Sequence, residues 1–517
     1  MFRFIRTLSH LKYIQIFYRV YYLIRNKFTI LKAFSFLKYR HRSNKVLLLD
    51  SIFSYKSVEK TEFNFLNLRH DFFNKIDWNF ATYGKLWTYN LTYFDFLHQS
   101  NISKEEGLYL IDDFIGQFDS LKDALEPFPI SIRGINWIKF FSYHSVQNEK
   151  RDQSLFFQYN LLMNNLEYHL LGNHLLENAF SLLFGAYYFQ NEKFYHKAKK
   201  LLKEELEEQI LDDGAHFELA PMYHQIMLFR VLDCINLIEN NSWKEKELLS
   251  FMKQKVSLMF GWLNIMTFKN GNIPLLNDST NKIAPTTQAL HQYANRLNIQ
   301  ENKAQLGSSG YRKIEKNRYE LVMDVGNIGP DYIPGHAHSD TFNFELYVDE
   351  IPIIVDTGIS TYETNARRTL ERSTDSHNTV MIANKNQSEV WGGFRVGQRA
   401  KIIQLNEQGN SIEAIHEGYK SIGVYHRRKF TTEEENILVE DFIEGENLDA
   451  SAYIHFHPDV TVVVEENIAF ANKIVLKFDT DNIEVKEYEF APAFNTLQKA
   501  KKLKINFTKS LKMEINI

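Results

Sequence analysis

Residues 334–360, PGHAHSDTFNFELYVDEIPIIVDTGIS, mark the point where the chain changes its period. Apolar and polar side chains alternate here, as in strands with one buried face, and a second strand ends at Asp356. Similar alternation recurs to the end of the chain, in stretches such as HRRKFTTEEENILVEDFIEG and SAYIHFHPDVTVVVEE, with turns but no helices between them. That pattern predicts antiparallel pairs forming a large sandwich. Upstream the pattern differs. DQSLFFQYNLLMNNLEYHLLGNHLLENAFSLLFGAYYF and YHQIMLFRVLDCINLIE carry apolar residues at i, i+3, i+4 and i+7, with short Asp-, Gly-, Asn- and Pro-containing loops between the helices. Helices so connected predict stacked helical hairpins. The expected class is α+β multidomain: a basic amphipathic extension at 1–70, a helical domain at 71–305 and an antiparallel β-sandwich at 306–517.

Composition narrows the function classes. A chain of 517 residues is too long for one ordinary core. Its 60 basic and 64 acidic residues leave no basic excess of the kind nucleic-acid binders show, so no nucleic-acid partner is expected. The single cysteine, Cys234, excludes internal disulfides and all-thiolate metal sites, and its apolar neighbours mark it as a small core residue. No apolar run is long enough to span a bilayer. The N-terminal MFRFIRTLSHLKYIQIFYRVYYLIRNKF is basic and apolar but lacks a small-residue cleavage site, so it reads poorly as a signal peptide. Residues 1–40 read as an amphipathic segment with two equal readings, peripheral contact with an anionic membrane or packing on the body. The expected location is accordingly cytoplasmic or peripherally membrane-associated, with the periplasm as the alternative.

Three clusters carry chemistry. His336 and His338, two apart on a strand, share one face. With Asp356 and His377 returning on neighbouring strand ends, they supply the imidazole and carboxylate donors of a zinc site; the competing reading is ordinary strand-end histidines bonded to backbone. In GNHLLEN, His174 and Glu177 are three apart on a helix, with Asn173 at its start. In DDGAHFELAPMYHQ, Glu218 lies in a loop, and Pro221 precedes Tyr223 and His224.

Taken together, NHLLEN, DDGAHFELAPMYH, GHAHSD, the VDTG carboxylate and RSTDSHNTV resemble the heparinase II/III family of polysaccharide lyases, which is similar to certain alginate lyases. The resemblance runs over about residues 75–400, with the five motifs in family order. It implies an incomplete α/α toroid followed by an antiparallel β-sandwich, with an acidic, uronate-containing polysaccharide bound between them and cleaved by β-elimination. It further implies His336 and Tyr223 as catalytic groups, and Asn173 or His174 as the group that neutralises the uronate carboxylate. His338, Asp356 and His377 would hold one divalent metal, expected as a mainly structural zinc. Glu177, Glu218 and Arg372 are expected against substrate, with Glu177 holding a protonated His174 and Arg372 lending positive charge.

The chemistry explains the residue types. A uronate C5 proton is weakly acidic until the neighbouring carboxylate is neutralised, so a donor, a base and an acid are all needed. The alternatives are a metal-dependent hydrolase, a glycosidase using Glu177, Glu218 or Asp340, and a non-catalytic glycan-binding protein of exopolysaccharide or capsule biosynthesis.

Overall fold

The computed structural model describes residues 2–28, 43–244 and 246–517. Among these, helices Lys85–Tyr93 through Thr287–Arg296 form one half, and strands from Tyr311–Glu315 to Ser510–Asn516 form the other. The order matches the change of period in the sequence.

Helix starts are written locally. Ser103 and Glu106 form a reciprocal capping box, Asn148, Asn191 and Thr286 cap their helices, and Pro127 and Pro221 occupy first turns. The helices Pro127–Tyr143, Gly172–Phe189 and Pro221–Glu239 are buried almost all round and pack on one another. Glu192–Gln209 instead keeps one charged face in solvent, and so lies outside them. Close approach is required at Gly134 and Gly185, where a Cβ would meet the Tyr159 hydroxyl at 2.7 Å and its ring at 2.6 Å, respectively.

The first strands of the β half, Tyr311–Glu315, Tyr319–Asp324, Phe344–Val348 and Ile351–Ile354, make a four-stranded antiparallel sheet in sequence order. Its two faces feed different cores. Leu321, Met323, Phe344, Leu346 and Val348 join the core of the β half, whereas Tyr311, Val322 and Tyr347 join that of the helices. Beyond it lie an eight-stranded sheet and a second four-stranded sheet. Strict alternation of burial along Val424–Thr432 and Asn436–Ile443 shows why these segments are strands.

The expected boundary at residue 70 is corrected. Three short strands between Val58 and Asp71 belong to the body, and Val46, Val58, Phe63 and Phe65 enter the helical core, Phe65 edge-on to Trp87 at 5.3 Å. Helices Phe2–Leu8 and Tyr13–Phe28 precede them, and residues 29–40 of the 1–40 segment lie outside the described residues. No helix among the described residues is long and apolar enough to cross a membrane.

Candidate active site

On the helical side, Leu171 and Gly172 both take left-handed backbone, φ 66° and 57°, and turn the chain into the helix that carries Asn173 in its first turn. That conformation is strained for leucine. Glycine is needed next, since a Cβ at 172 would lie 2.8 Å from Glu218 Oε1. The carboxylate of Glu218, buried in that gap, accepts from the Asn173 backbone N–H at 3.2 Å and from its Nδ2 at 2.8 Å. Tyr223 projects from the first turn of the helix that Pro221 opens.

The organiser of the histidines is Asp278, completely buried, which the loop between helices Glu247–Met266 and Thr287–Arg296 brings from the helical half to the β half. It accepts from His336 Nδ1 at 2.9 Å, from His338 Nε2 at 2.8 Å and from Arg368 Nη2 at 2.7 Å. Burial pushes its carboxyl up, but Arg368 and the two imidazole hydrogen bonds outweigh this and hold it well below the usual range. The loops interlock. Asp278 N–H donates to the His336 carbonyl at 3.1 Å, His338 N–H donates to Asn277 Oδ1 at 3.0 Å, and Asn277 Nδ2 donates to the Leu219 carbonyl at 3.0 Å. Asn277 and Leu219, each beside a site carboxylate, are also left-handed, at φ 55° and 57°.

The two sides meet at His336. Its ring lies over that of Tyr223 with centroids 3.9 Å apart and planes at 30°, and Asn173 Nδ2 is 3.3 Å from its Nε2. Because Asp278 accepts at Nδ1, the neutral ring carries its proton there, which leaves the Nε2 lone pair facing the Asn173 amide. Burial raises the Tyr223 phenol above its ordinary value, so it stays protonated, and it exchanges a hydrogen bond with the Tyr362 hydroxyl at 3.3 Å. Phe394, 43% exposed, stands edge-on to His336 at 6.0 Å and offers an apolar wall. An imidazole whose unprotonated nitrogen meets an amide donor, and a protonated phenol beside it, are thus gathered in one place.

Behind them, His338 and His377 lie with ring centroids 5.2 Å apart. His338 gives Nε2–H to Asp278 and His377 gives Nδ1–H to Asp356 at 2.7 Å; their other nitrogens, with Asp340 Oδ2, are buried without hydrogen-bond partners. Burial lowers His338 to about 4 and keeps it neutral. Imidazoles backed by carboxylates are apt metal ligands. Asp356, however, also takes Asn343 Nδ2 at 2.6 Å and Gly358 N–H at 2.9 Å, so it stands behind His377 rather than beside it. Among the described residues no group of three or more His, Cys, Asp or Glu side chains is arranged to hold an ion. The expected trio is therefore together but does not converge.

Two family descriptions together match residues 130–517: Heparinase II/III N-terminus over residues 130–306 and Heparinase II/III-like, C-terminal over residues 298–517. The chain belongs to the heparinase II/III-like family. This family member is 23% identical over 284 residues to a heparin-sulfate lyase of Bacteroides thetaiotaomicron, covering 46% of this chain and 39% of the relative. It is 25% identical over 247 residues to a heparin-sulfate lyase of Pedobacter heparinus, covering 42% and 36%. The matched part thus spans about two fifths of the curated relatives' length. Among solved structures, heparinase III superposes with a TM-score of 0.66 at 17% identity, covering 86% of this chain and 79% of that one. A chondroitin AC lyase of Streptomyces coelicolor gives 0.52 at 6%, covering 83% and 74%. At these identities the structural likeness speaks for the fold.

Within this heparinase II/III-like chain, several sequence expectations are corrected. Arg372 is buried, and its guanidinium donates to the carbonyls of Ala337, Gly392 and Gly393, so it braces loops instead of meeting substrate. Arg368, one helical turn earlier, is the arginine at the site. Glu177 is buried against Arg230 at 2.8 Å and does not hold His174. His174 Nδ1 pairs with Glu167 at 3.0 Å, and although burial opposes it, that carboxylate raises the imidazole pKa. Glu218 positions Asn173 from a buried place. Asp278, Arg368, Tyr362, Glu167 and Phe394 escaped the sequence reading; Asp278 stands in the loop FKNGNIPLLNDST, residues 268–280, which has no motif to single it out.

Proposed function

We propose that this protein is a polysaccharide lyase that cleaves a uronate-containing polysaccharide by β-elimination, at a site made jointly by a toroid-like helical half and the β half. The observation that carries the reading is the stacked pair Tyr223 and His336 with Asn173 on the free imidazole nitrogen. Asn173 donates to the uronate carboxylate and, with the raised imidazole of His174 nearby, spreads the charge that develops when C5 loses its proton. His336 Nε2 takes that proton, with Asp278 stabilising the imidazolium through Nδ1. The electron pair forms the C4–C5 double bond, the C4–O bond breaks, and the Tyr223 phenol protonates the leaving oxygen. The same burial that keeps the Tyr223 phenol protonated speaks against it as the base for the opposite C5 epimer.

The hydrolase readings find less support, because Glu177, Glu218 and Asp340 are all buried and two of them are engaged with neighbours. A structural divalent metal, expected as zinc, would use the unpartnered His338 Nδ1, His377 Nε2 and Asp340 Oδ2, with Asp356 orienting His377; no step of the reaction passes through it. Elemental analysis of the purified chain tests this directly.

Heparan-type glycosaminoglycans, named for the relatives, head the substrate panel, followed by chondroitin, alginate and capsular polymers. Incubation with each should produce the ultraviolet absorbance of an unsaturated uronate in at least one case. Product that forms without unsaturation, or oligosaccharide binding without turnover at high protein concentration, would overturn the lyase reading.

A further inference from the structure

The helix Tyr13–Phe28 is mounted with its polar stripe inward. Gln15, Tyr18, Tyr22 and Arg25, spaced three, four and three, form one face, and all four grip the body. Gln15 is buried and its Nε2 donates to the Leu170 carbonyl at 3.0 Å. Tyr18 stacks on Tyr168 at 4.6 Å, Tyr22 Oη donates to the Leu166 carbonyl at 2.6 Å, and Arg25 Nη1 donates to the Asn164 carbonyl at 2.6 Å. The preceding helix is pinned by Arg3 and Arg6 on Glu389 at 3.1 and 2.7 Å. The opposite face of Tyr13–Phe28 carries Ile16, Phe17, Val20, Leu23 and Ile24. Counting Phe4, Ile5 and Leu8, eleven large apolar side chains between residues 4 and 24 are at least 37% exposed. A helix on a water-facing surface buries its apolar stripe; this one does the reverse.

Charge says what covers that face. Residues 1–49 contain eleven Lys and Arg and no Asp or Glu, leaving 49 basic against 64 acidic residues in the remainder. Residues 27–42 alone hold Lys27, Lys32, Lys38, Arg40 and Arg42. An apolar, tyrosine- and phenylalanine-rich face in a purely basic segment, on a net acidic body, is complementary to an anionic lipid surface. We infer that the N-terminal helix pair is a membrane-docking surface that lays the protein on an anionic bilayer through the outer face of Tyr13–Phe28. The helix has 16 residues and lies in the interface without crossing it. The same helix bonds to the Tyr332 carbonyl through Gln15 and approaches the loop before His336, so docking would set the site at a fixed distance from the lipid.

The test is co-sedimentation of the full chain with phosphatidylcholine vesicles, with and without abundant phosphatidylglycerol. Binding is expected to the anionic vesicles, to weaken with added salt, and to fall at least tenfold in the Phe17→Asp, Leu23→Asp double variant. A second variant, Lys32→Gln, Lys38→Gln, Arg40→Gln and Arg42→Gln together, touches charge alone. It should lose about fivefold per residue removed. Equal sedimentation with neutral vesicles, or undiminished binding by both variants, overturns the inference. So does a dimer in light scattering that the double variant dissociates, since the face would then be an interface between two copies of this chain.

Discussion

Asn173 and His336 come within 3.3 Å of each other, yet they are aimed by carboxylates with different kinds of partner. Glu218, on the helical side, accepts from a backbone amide and a neutral side-chain amide; the nearest imidazole nitrogen, His336 Nε2, is 3.7 Å away. Asp278, on a helical-half loop that faces the β half, is matched by the full charge of Arg368 and two imidazole N–H donors from there. The first arrangement sets direction with little charge invested. The second fixes a tautomer and stabilises the proton that His336 is proposed to receive. A site proposed to bind a polyanion beside two carboxylates would need this division, because Arg368 is consumed by Asp278 and an amide and His174 are the groups proposed to meet the substrate.

The largest effect should come from the groups that exchange protons. Tyr223→Phe and His336→Ala are each expected to lower kcat by about 10²–10⁴-fold with the fold intact by circular dichroism; a loss under tenfold in both would remove the stacked pair from the mechanism. Next comes Asp278→Asn. It leaves Arg368 buried without its counter-charge and should cost about 3–5 kcal/mol in denaturant unfolding, along with activity. Adding Arg368→Met should return part of the stability but none of the turnover, because the imidazole still lacks its acceptor. If the single variant unfolds like the parent, Asp278 is not the charged hub described.

Glu218→Gln should be milder, since an amide can still hold Asn173. A drop of about tenfold in kcat/KM, with stability changed by under ~1 kcal/mol, is the expected reading. Equality of the Glu218 and Asp278 variants would erase the contrast between the two sides. The smallest effect concerns His174, whose pKa Glu167 raises against the effect of burial. Its positive charge is present below that raised pKa and lost as pH rises through it, so KM for a polyanionic substrate should climb by a few-fold over that interval. His174→Gln should flatten the profile; an unchanged profile places His174 outside the binding groove.

Much of this was legible because it obeys a period. The shift from 3.6 to 2 after residue 310 separated the halves; His336 and His338 do reach one carboxylate, but from the irregular turn before Phe344–Val348 and not from the expected strand. What escaped has no period. Asp278 sits in an irregular loop whose direction is set by a left-handed Asn277 and by bonds to Leu219 and His338, contacts made across the interface. Arg368 and Arg372 lie one turn apart on the same face of a short helix and its end, so spacing could not say which one reaches the site. His174 and Glu177 do share a helix face, but Arg230 from another helix claims the glutamate. Residues 43–71 lack a strong pattern because their few large side chains fill gaps in a core that others define.

The sheet spanning residues 311–354 has a further consequence, for how the molecule comes apart. Since Val322 and Tyr347 plug the helices while Leu321 and Leu346, on the same strands, plug the layers beyond, neither half owns the strands between them. Heating should therefore melt both together in a single calorimetric transition, and a chain cut near residue 305 would leave each fragment with an unhealed hydrophobic wound.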